Sequence, residues 1–355
     1  MRYGADEPKE DFVTYVTIRD VAREAGVSIT AVSQILHGKG RFSDETREQV
    51  LRAVGELGYV PDRRARSMRS SGTNTIGLLV PDLRNPYFAD LVSSMEDDLY
   101  RRGYTTLIGS SGENVARQDG FIENLLGQRI DGAIVVPQGV ESPGVKSLIV
   151  RDLPLVFVDR RVQGVDSVPF VVSDPYPGIL AAIRDLVQLG HGRIGFVAHP
   201  SLGSFSVNER RIAFEAVAAG FDGGVDPVVV SCDSTYESRK AALSNLREAG
   251  VSVIVCAYSP DAITMIGLLH DADLEIGRDV SVVSFDDISA FRLMTPSISV
   301  ISQQVEAMGL RGVSMLLDQI SSEKSRGGGT YYVPTVYVPR GSSGPAPPIA
   351  SSAAR

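Results

Sequence analysis

The side chains able to do covalent or metal chemistry are few, and their spacing argues against both. His37, His191, His199 and His270 share no paired metal-ligand spacing. Cys232 and Cys256 stand far apart in apolar surroundings, as buried free thiols of a reducing cytoplasm do. GHGRIG at 190–195 fits GxGxxG letter for letter, but a predicted helix precedes it and a predicted strand follows. A dinucleotide site needs strand, loop, then helix. RGGGT at 326–330 lacks the Gly-Lys-Ser/Thr ending of a phosphate loop and reads as a flexible connection. GSSGE at 109–113 is no nucleophile elbow. Asp286 and Asp287 are adjacent, so they cannot flank a substrate as acid and base. The expectation is no catalytic residue, no metal and no cofactor.

Polyanion chemistry is better supplied. YVPDRRARSMRSSGTN at 59–74 carries Arg63, Arg64, Arg66 and Arg69 around a single Met68. Upstream, TIRDVAREAGVSITAVSQIL at 17–36 reads as two short helices joined by a tight turn. Ile18, Val21, Ala22 and Ala25 give the first an apolar face. Thr17 and Asp20 form a capping box, and Gly26 stops the helix because a left-handed backbone is cheap for glycine. Ser28 caps the second helix, whose inner face is Val32, Ile35 and Leu36. This is the pattern of a helix-turn-helix, in which the second helix enters the DNA major groove. A third helix over 44–57, with Val50, Val54 and Leu57 inward and Gly58 at its end, closes a small core.

The chain's net charge of −8 hides an asymmetry that suits this reading. Residues 16–72 hold 10 Lys+Arg against 7 Asp+Glu, whereas residues 73–355 hold 23 against 32. A mildly basic head on an acidic body fits a DNA reader whose larger part stays off the phosphates. The polar, acidic stretch at 1–15 is expected to be a disordered leader without a secretory signal, and no apolar run reaches membrane length. A cytoplasmic protein is expected.

From residue 75 the pattern changes. Apolar runs TIGLLV, TTLIG, AIVV and LVFV, then IGFVA, VIVC and SVVSF, alternate with amphipathic helical stretches. Such alternation predicts parallel, doubly wound α/β sheets, and two strand series predict two lobes with a ligand cleft at the strand ends. The tail at 341–355, rich in Ser, Pro and Ala, is expected to be disordered.

TIRDVAREAGVSITAVSQIL, LGYVPDRRARSMRS, TNTIGLLVPDLRNPYFADL, DGAIVV, FVDRR, LGHGRIGFV and SVVSFDDI together make residues 16–340 resemble the LacI/GalR family of bacterial transcription regulators. The resemblance implies a helix-turn-helix head (16–60), a hinge helix and linker (61–73), and a two-lobed core like a periplasmic binding protein (74–340). The N-lobe would take about 74–174 and 304–332, and the C-lobe about 175–303 and 333–340. It implies a ligand-responsive repressor that binds a pseudo-palindromic operator in double-stranded DNA as a homodimer. Ile29, Thr30 and Gln34 would face the groove, with Ser28, Ser33 and Thr17 on the DNA as well. Met68 would wedge the minor groove, flanked by Arg63, Arg66 and Arg69 on backbone or groove. The resemblance also implies an effector site containing Tyr87, Phe88, Ser204, Ser206, Arg210, Tyr258 and Asp286, with Arg210 forking onto ligand oxygens and Asp286 accepting from hydroxyls.

Three departures from the family pattern, Tyr258-Ser259, Asp174-Pro175 and Ala213, leave open a pentose, a nucleoside, another small polar metabolite, or a pocket that no longer binds the ancestral ligand class. The rivals are a sugar-binding module without a DNA role and an α/β enzyme. Met68→Ala is expected to weaken operator binding in a DNA titration while leaving ligand affinity intact. An unchanged operator affinity would remove the wedge role.

Overall fold

The computed structural model describes residues 16–60, 72–139, 141–200, 205–222, 224–322 and 327–348. The chain divides into two compact units, Met1–Thr73 and Asn74–Arg355.

In the first unit, local signals set each boundary. Helix α1 (Ile18–Glu24) starts where the Thr17 N–H and hydroxyl both donate to Asp20 Oδ2, at 3.0 and 2.7 Å. Gly26, at φ +63°, turns the chain into α2 (Ile29–Leu36), capped by Ser28 Oγ accepting from the Ala31 N–H at 3.1 Å. Helix α3 (Asp44–Leu57) is capped by Ser43 and ends on left-handed Gly58. Val21, Ala22, Val32, Ile35, Val50 and Ala53 form the buried core, and Leu36, Val54 and Leu57 pack half-buried around it.

The second unit alternates strand and helix as its apolar runs dictate. In order these are β1 (Thr75–Val80), α4 (Pro86–Arg101), β2 (Thr105–Ser110), α5 (Val115–Gly127), β3 (Gly132–Val135), α6 (Pro143–Val150), β4 (Leu155–Val158) and β5 (Pro169–Asp174). The chain then passes through α7 (Tyr176–Gln188), β6 (Arg193–Ala198), α8 (Phe205–Ala219), β7 (Asp226–Ser231), α9 (Tyr236–Glu248), β8 (Val253–Cys256) and α10 (Ser259–Asp271). It finishes with β9 (Ser281–Phe285), α11 (Ser289–Leu293), β10 (Ser299–Ser302), α12 (Val305–Ser321), β11 (Gly329–Pro334) and β12 (Val336–Val338).

Two six-stranded sheets result, ordered β11-β5-β4-β3-β1-β2 and β12-β10-β9-β8-β6-β7. They share one wiring diagram, parallel throughout except that β12 runs antiparallel to β10. The chain crosses between lobes after β5, after β10 and between β11 and β12. Thr335 in the last crossing donates its hydroxyl to the Asp174 carbonyl in the first at 2.8 Å and accepts from the Gly178 N–H at 3.0 Å. Gln304, in the second, donates to the Pro334 carbonyl at 2.6 Å. Gly178 must lack a side chain, because a Cβ there would sit 2.6 Å from both Ile301 Cγ2 and Thr335 Oγ1. Among the described residues no helix is long and apolar enough to cross a membrane.

One expectation fails at the C-terminus. Residues 341–346, expected to be disordered, are sewn onto the C-lobe. Buried Ser342 exchanges four hydrogen bonds with Val282, Ser297 and Ser299, at 2.6–3.0 Å. The Gly344 carbonyl meets His191 Nε2 at 3.0 Å, and the Ala346 N–H donates to the Leu189 carbonyl. Composition suggested disorder, but small residues are what lets this strap lie flat: a Cβ on Gly344 would overlap the Gly277 carbonyl.

The strap fixes a protonation state. A carbonyl only accepts, so His191 Nε2 carries the proton and Nδ1 accepts from the Ser252 hydroxyl at 2.8 Å. Burial pulls this imidazole below its ordinary 6.5, partly opposed by the Gly344 carbonyl. The unfolded chain therefore takes up a proton first as pH falls. The stability conferred by the neutral ring is complete above 6.5 and is lost as pH drops through the lowered value. Urea unfolding is expected to show that decline in the intact chain. A chain ending at Arg340 should be less stable by about 2–4 kcal/mol, from several lost hydrogen bonds, with a flatter pH dependence.

Candidate ligand cleft and DNA-reading helix

The outer face of α2 is left free by its packing. Val32 and Ile35 fill the core, which leaves Ile29, Thr30 and Gln34 exposed, and Ile29 is 44% exposed despite being apolar. Ser33 is half-buried, Ser28 spends its oxygen on the cap, and the exposed Thr17 hydroxyl is held by Asp20. Gln34 lies over Gly40, where a Cβ would come within 2.9 Å of its Oε1. Arg63, Arg66, Met68, Arg69 and Ser204 lie outside the described residues.

In the core unit, the expected effector residues gather at the carboxyl ends of the strands, where an open α/β sheet binds ligands. Asn85 caps α4 by accepting from the Tyr87 N–H at 3.1 Å, and so delivers Tyr87 just past β1. The Tyr87 hydroxyl donates to Asp159 Oδ1 at 2.8 Å. Asp159 follows β4 and Asp286 follows β9, the same place in each lobe's wiring. Both are buried, and both adopt left-handed φ of 67° and 69°. Asp286 accepts from the Ser259 hydroxyl at 2.9 Å and from Gln303 Nε2 at 2.6 Å.

Arg210, also buried, donates from Nη1 to the Ala257 carbonyl at 2.6 Å and lies 4.6 Å over the Phe285 ring. Its Nε is buried without a hydrogen-bond partner. Among the described residues, Arg210 makes no ion pair with Asp286.

These groups from both lobes feel one another. Burial pushes the Asp159 carboxyl above its usual range, against the pull of Arg160 and Arg210 and with a further push from Asp286. Burial and then the Asp159 and Asp286 carboxylates lift the Tyr87 phenol well above 10.0. Tyr258 caps the start of α10 without a side-chain bond, and its phenol is raised to about 12 by burial and by Glu113 from the other lobe. A cavity of about 390 Å³ adjoins this cluster, with Tyr87, Asp286 and Gln303 in its wall and Asp90, Arg292 and Glu306 among its other lining residues. A pocket of this size, with donors and acceptors converging in it, suits a small polar molecule.

Two expected residues are less available. Phe88 is buried in the N-lobe core, with the Arg160 guanidinium 5.6 Å from its ring, and Ser206 is buried in the first turn of α8. Sequence reasoning missed Asp159, Gln303 and the pair of buried Arg160 with half-buried Glu113, which are joined by two bonds at 2.8 and 2.9 Å. A signal for Asp159 was present: LVFV and SVVSF are each followed by aspartate.

A helix-turn-helix unit followed by a two-lobed, cleft-bearing α/β unit defines the class of ligand-binding transcription regulators. Residues 17–62 match the lacI family of bacterial regulatory proteins, and residues 183–343 match the periplasmic binding protein-like domain. The HTH-type transcriptional repressor PurR of Edwardsiella ictaluri is 30% identical over 312 residues, covering 87% of this chain and 91% of that protein. The transcriptional regulator CelR, solved with cellobiose, is 27% identical, with a TM-score of 0.67 over 92% of this chain and all of that one. The lac repressor dimer bound to operator and the anti-inducer ONPF shares the fold at a TM-score of 0.79 and 23% identity, over 93% of this chain and all of that one.

The chain belongs to the LacI family. It is a DNA-binding transcription regulator, and its relatives are repressors rather than enzymes, in keeping with the absence of a catalytic constellation in the sequence.

Tyr87→Phe tests the bond between helix and strand end. It leaves the Asp159 carboxylate short of a donor in a buried site, which is expected to cost about 1–3 kcal/mol. Thermal unfolding of the core would show no change if Asp159 found another partner.

Proposed function

We propose that this protein is a cytoplasmic repressor that binds a pseudo-palindromic operator as a homodimer. An effector between its lobes adjusts its affinity for that operator. The effector is a small polyhydroxylated molecule of the sugar or nucleoside kind. The observation that carries this reading is the buried set of Tyr87, Asp159, Arg210 and Asp286, drawn from both lobes, in which Arg210 Nε lacks a partner. A guanidinium donor and carboxylate acceptors converging between the lobes match alternating ring oxygens and hydroxyls. The complex of the relative CelR with cellobiose supports sugar chemistry.

A ligand that touches both lobes binds one lobe arrangement better than another, and that difference in affinity drives regulation. On the DNA, exposed Gln34 offers a bidentate amide to adenine and Ile29 an apolar contact to a thymine methyl. Two recognition helices related by a two-fold axis would read two half-sites.

A thermal-shift screen of the full-length protein against pentoses, hexoses, nucleosides and purines should find a stabiliser, since a ligand of the native state raises its melting point. DNA titrations with that compound then give the sign of regulation. Arg210→Ala and Asp286→Ala are expected to abolish the ligand response and keep basal, salt-dependent DNA binding. Retained response in either variant would move the effector elsewhere. A full-length protein that binds sugar but no DNA would instead be a binding module.

A further inference from the structure

A second cluster of chemistry-bearing side chains lies in the C-lobe, apart from the residues assigned to the effector. His199 follows β6, Cys232 follows β7 and Asp261 stands in the first turn of α10, which follows β8. Three successive strand ends therefore deliver three different ligand types to one point. All three side chains are buried, and one donor atom from each lies within 4.8 Å of the other two. His199 Nδ1 is 2.8 Å from Asp261 Oδ2, Cys232 Sγ is 3.4 Å from that oxygen, and Sγ is 3.8 Å from Nδ1.

We propose that His199 Nδ1, Cys232 Sγ and Asp261 Oδ2 form one face of a tetrahedral site for a divalent transition metal of the zinc class. Ligand bonds of 2.0–2.3 Å in a tetrahedron place donor atoms roughly 3.3–3.7 Å apart. The two distances that involve sulfur fall on or beside that range, and the nitrogen–oxygen distance is shorter by about the amount a direct hydrogen bond draws two atoms together. A mixed nitrogen, sulfur and oxygen set selects zinc, cobalt or a similar ion over magnesium or calcium, which take oxygen alone.

The surroundings match what orients metal ligands. Arg239 Nε donates at 2.8 Å to Asp261 Oδ1, the oxygen left free, and the Ser234 hydroxyl lies 3.4 Å from His199 Nε2, the nitrogen left free. An outer partner on the second atom of each ligand fixes its rotation and, for histidine, its tautomer. The Cys232 S–H bond gives up its proton to solvent and the sulfur lone pair binds the ion. The imidazole proton moves from Nδ1 to Nε2 and is donated to Ser234. The ion stays divalent throughout.

The Tyr258 ring stands edge-on to His199, with centroids 5.3 Å apart, so the site adjoins the effector cleft through one aromatic side chain. The metal proposal rests on the C-lobe alone and is independent of the effector's identity.

The test uses tag-free, full-length protein, reduced and freed of metal with chelator, then titrated with cobalt(II). One equivalent is expected to produce sulfur-to-cobalt charge-transfer absorption together with the visible bands of tetrahedral cobalt, and zinc should displace both. Cys232→Ser should lose the charge-transfer band and weaken binding by about 100-fold or more, beyond the cost of losing an outer partner. Cys256→Ser should keep both bands.

Wild-type protein without a charge-transfer band at one equivalent would overturn the proposal and leave a purely hydrogen-bonded network. That outcome does not depend on any variant folding. The same band persisting in folded Cys232→Ser would overturn it as well. If that variant does not fold, His199→Gln provides the second reading: the tetrahedral visible bands should vanish, and their survival would count against the site.

Discussion

The hydrogen bonds that stitch the three lobe crossings together constrain everything else in the core unit. Thr335 ties the last crossing to Asp174 and Gly178 beside the first, and Gln304 ties the second to Pro334. Crossings held side by side leave the lobes a shared axis about which to move, rather than a loose tether. Gly178 shows how tight this axis is, since it has no space for even a methyl group. Residues far apart in sequence, such as Tyr87 and Asp286, can feel each other's charge only because this axis sets the facing strand ends close together.

The cleft is built from repetition. Each lobe ends its equivalent strand, β4 or β9, on a buried aspartate with left-handed backbone. Non-glycine residues adopt that conformation at a cost of order 1–3 kcal/mol, and it persists where surrounding bonds enforce it. Here they do: Tyr87 holds Asp159, while Ser259 and Gln303 hold Asp286. The two carboxylates nevertheless differ in company. Asp159 has a phenol and the Arg160 guanidinium, whose Nε lies 3.8 Å away, whereas Asp286 has a hydroxyl and an amide from its own lobe's strand ends, and this asymmetry gives the cleft a direction.

How much of this was legible in the sequence follows how local each signal is. The head was readable because Thr17 with Asp20, Gly26, Ser28 and Gly58 act within a few residues of themselves. Strands β1, β3, β4, β8 and β9 were readable as unbroken apolar runs, since central parallel strands are buried on both faces. Edge strands hid. β7 starts Asp-Pro and is nowhere fully buried, and β11 exposes Tyr331 and Tyr332 beneath arginines, so neither carries a clean pattern. The strap at 341–346 was misread because its role is to meet other residues' backbone, which composition does not encode. Arg210 and Asp286 came from family resemblance. Asp159 required knowing that β4 and β9 are equivalents. His199, Cys232 and Asp261 lie 29 to 62 residues apart, and only the folded sheet brings them together.

The interleaving of the lobes also bears on how the protein is made. The head is complete within the first 60 residues and contains its own core, so it can fold while the ribosome is still producing the first sheet. Neither lobe has that freedom. The N-lobe waits for α12 and β11, and the C-lobe waits for β12 and for the strap that buries Ser342. A nascent chain therefore emerges with a finished DNA-binding head followed by two sheets whose edges remain open until the last 50 or so residues appear. During that interval the open edges need a chaperone or rapid completion of synthesis to keep them from pairing with other chains.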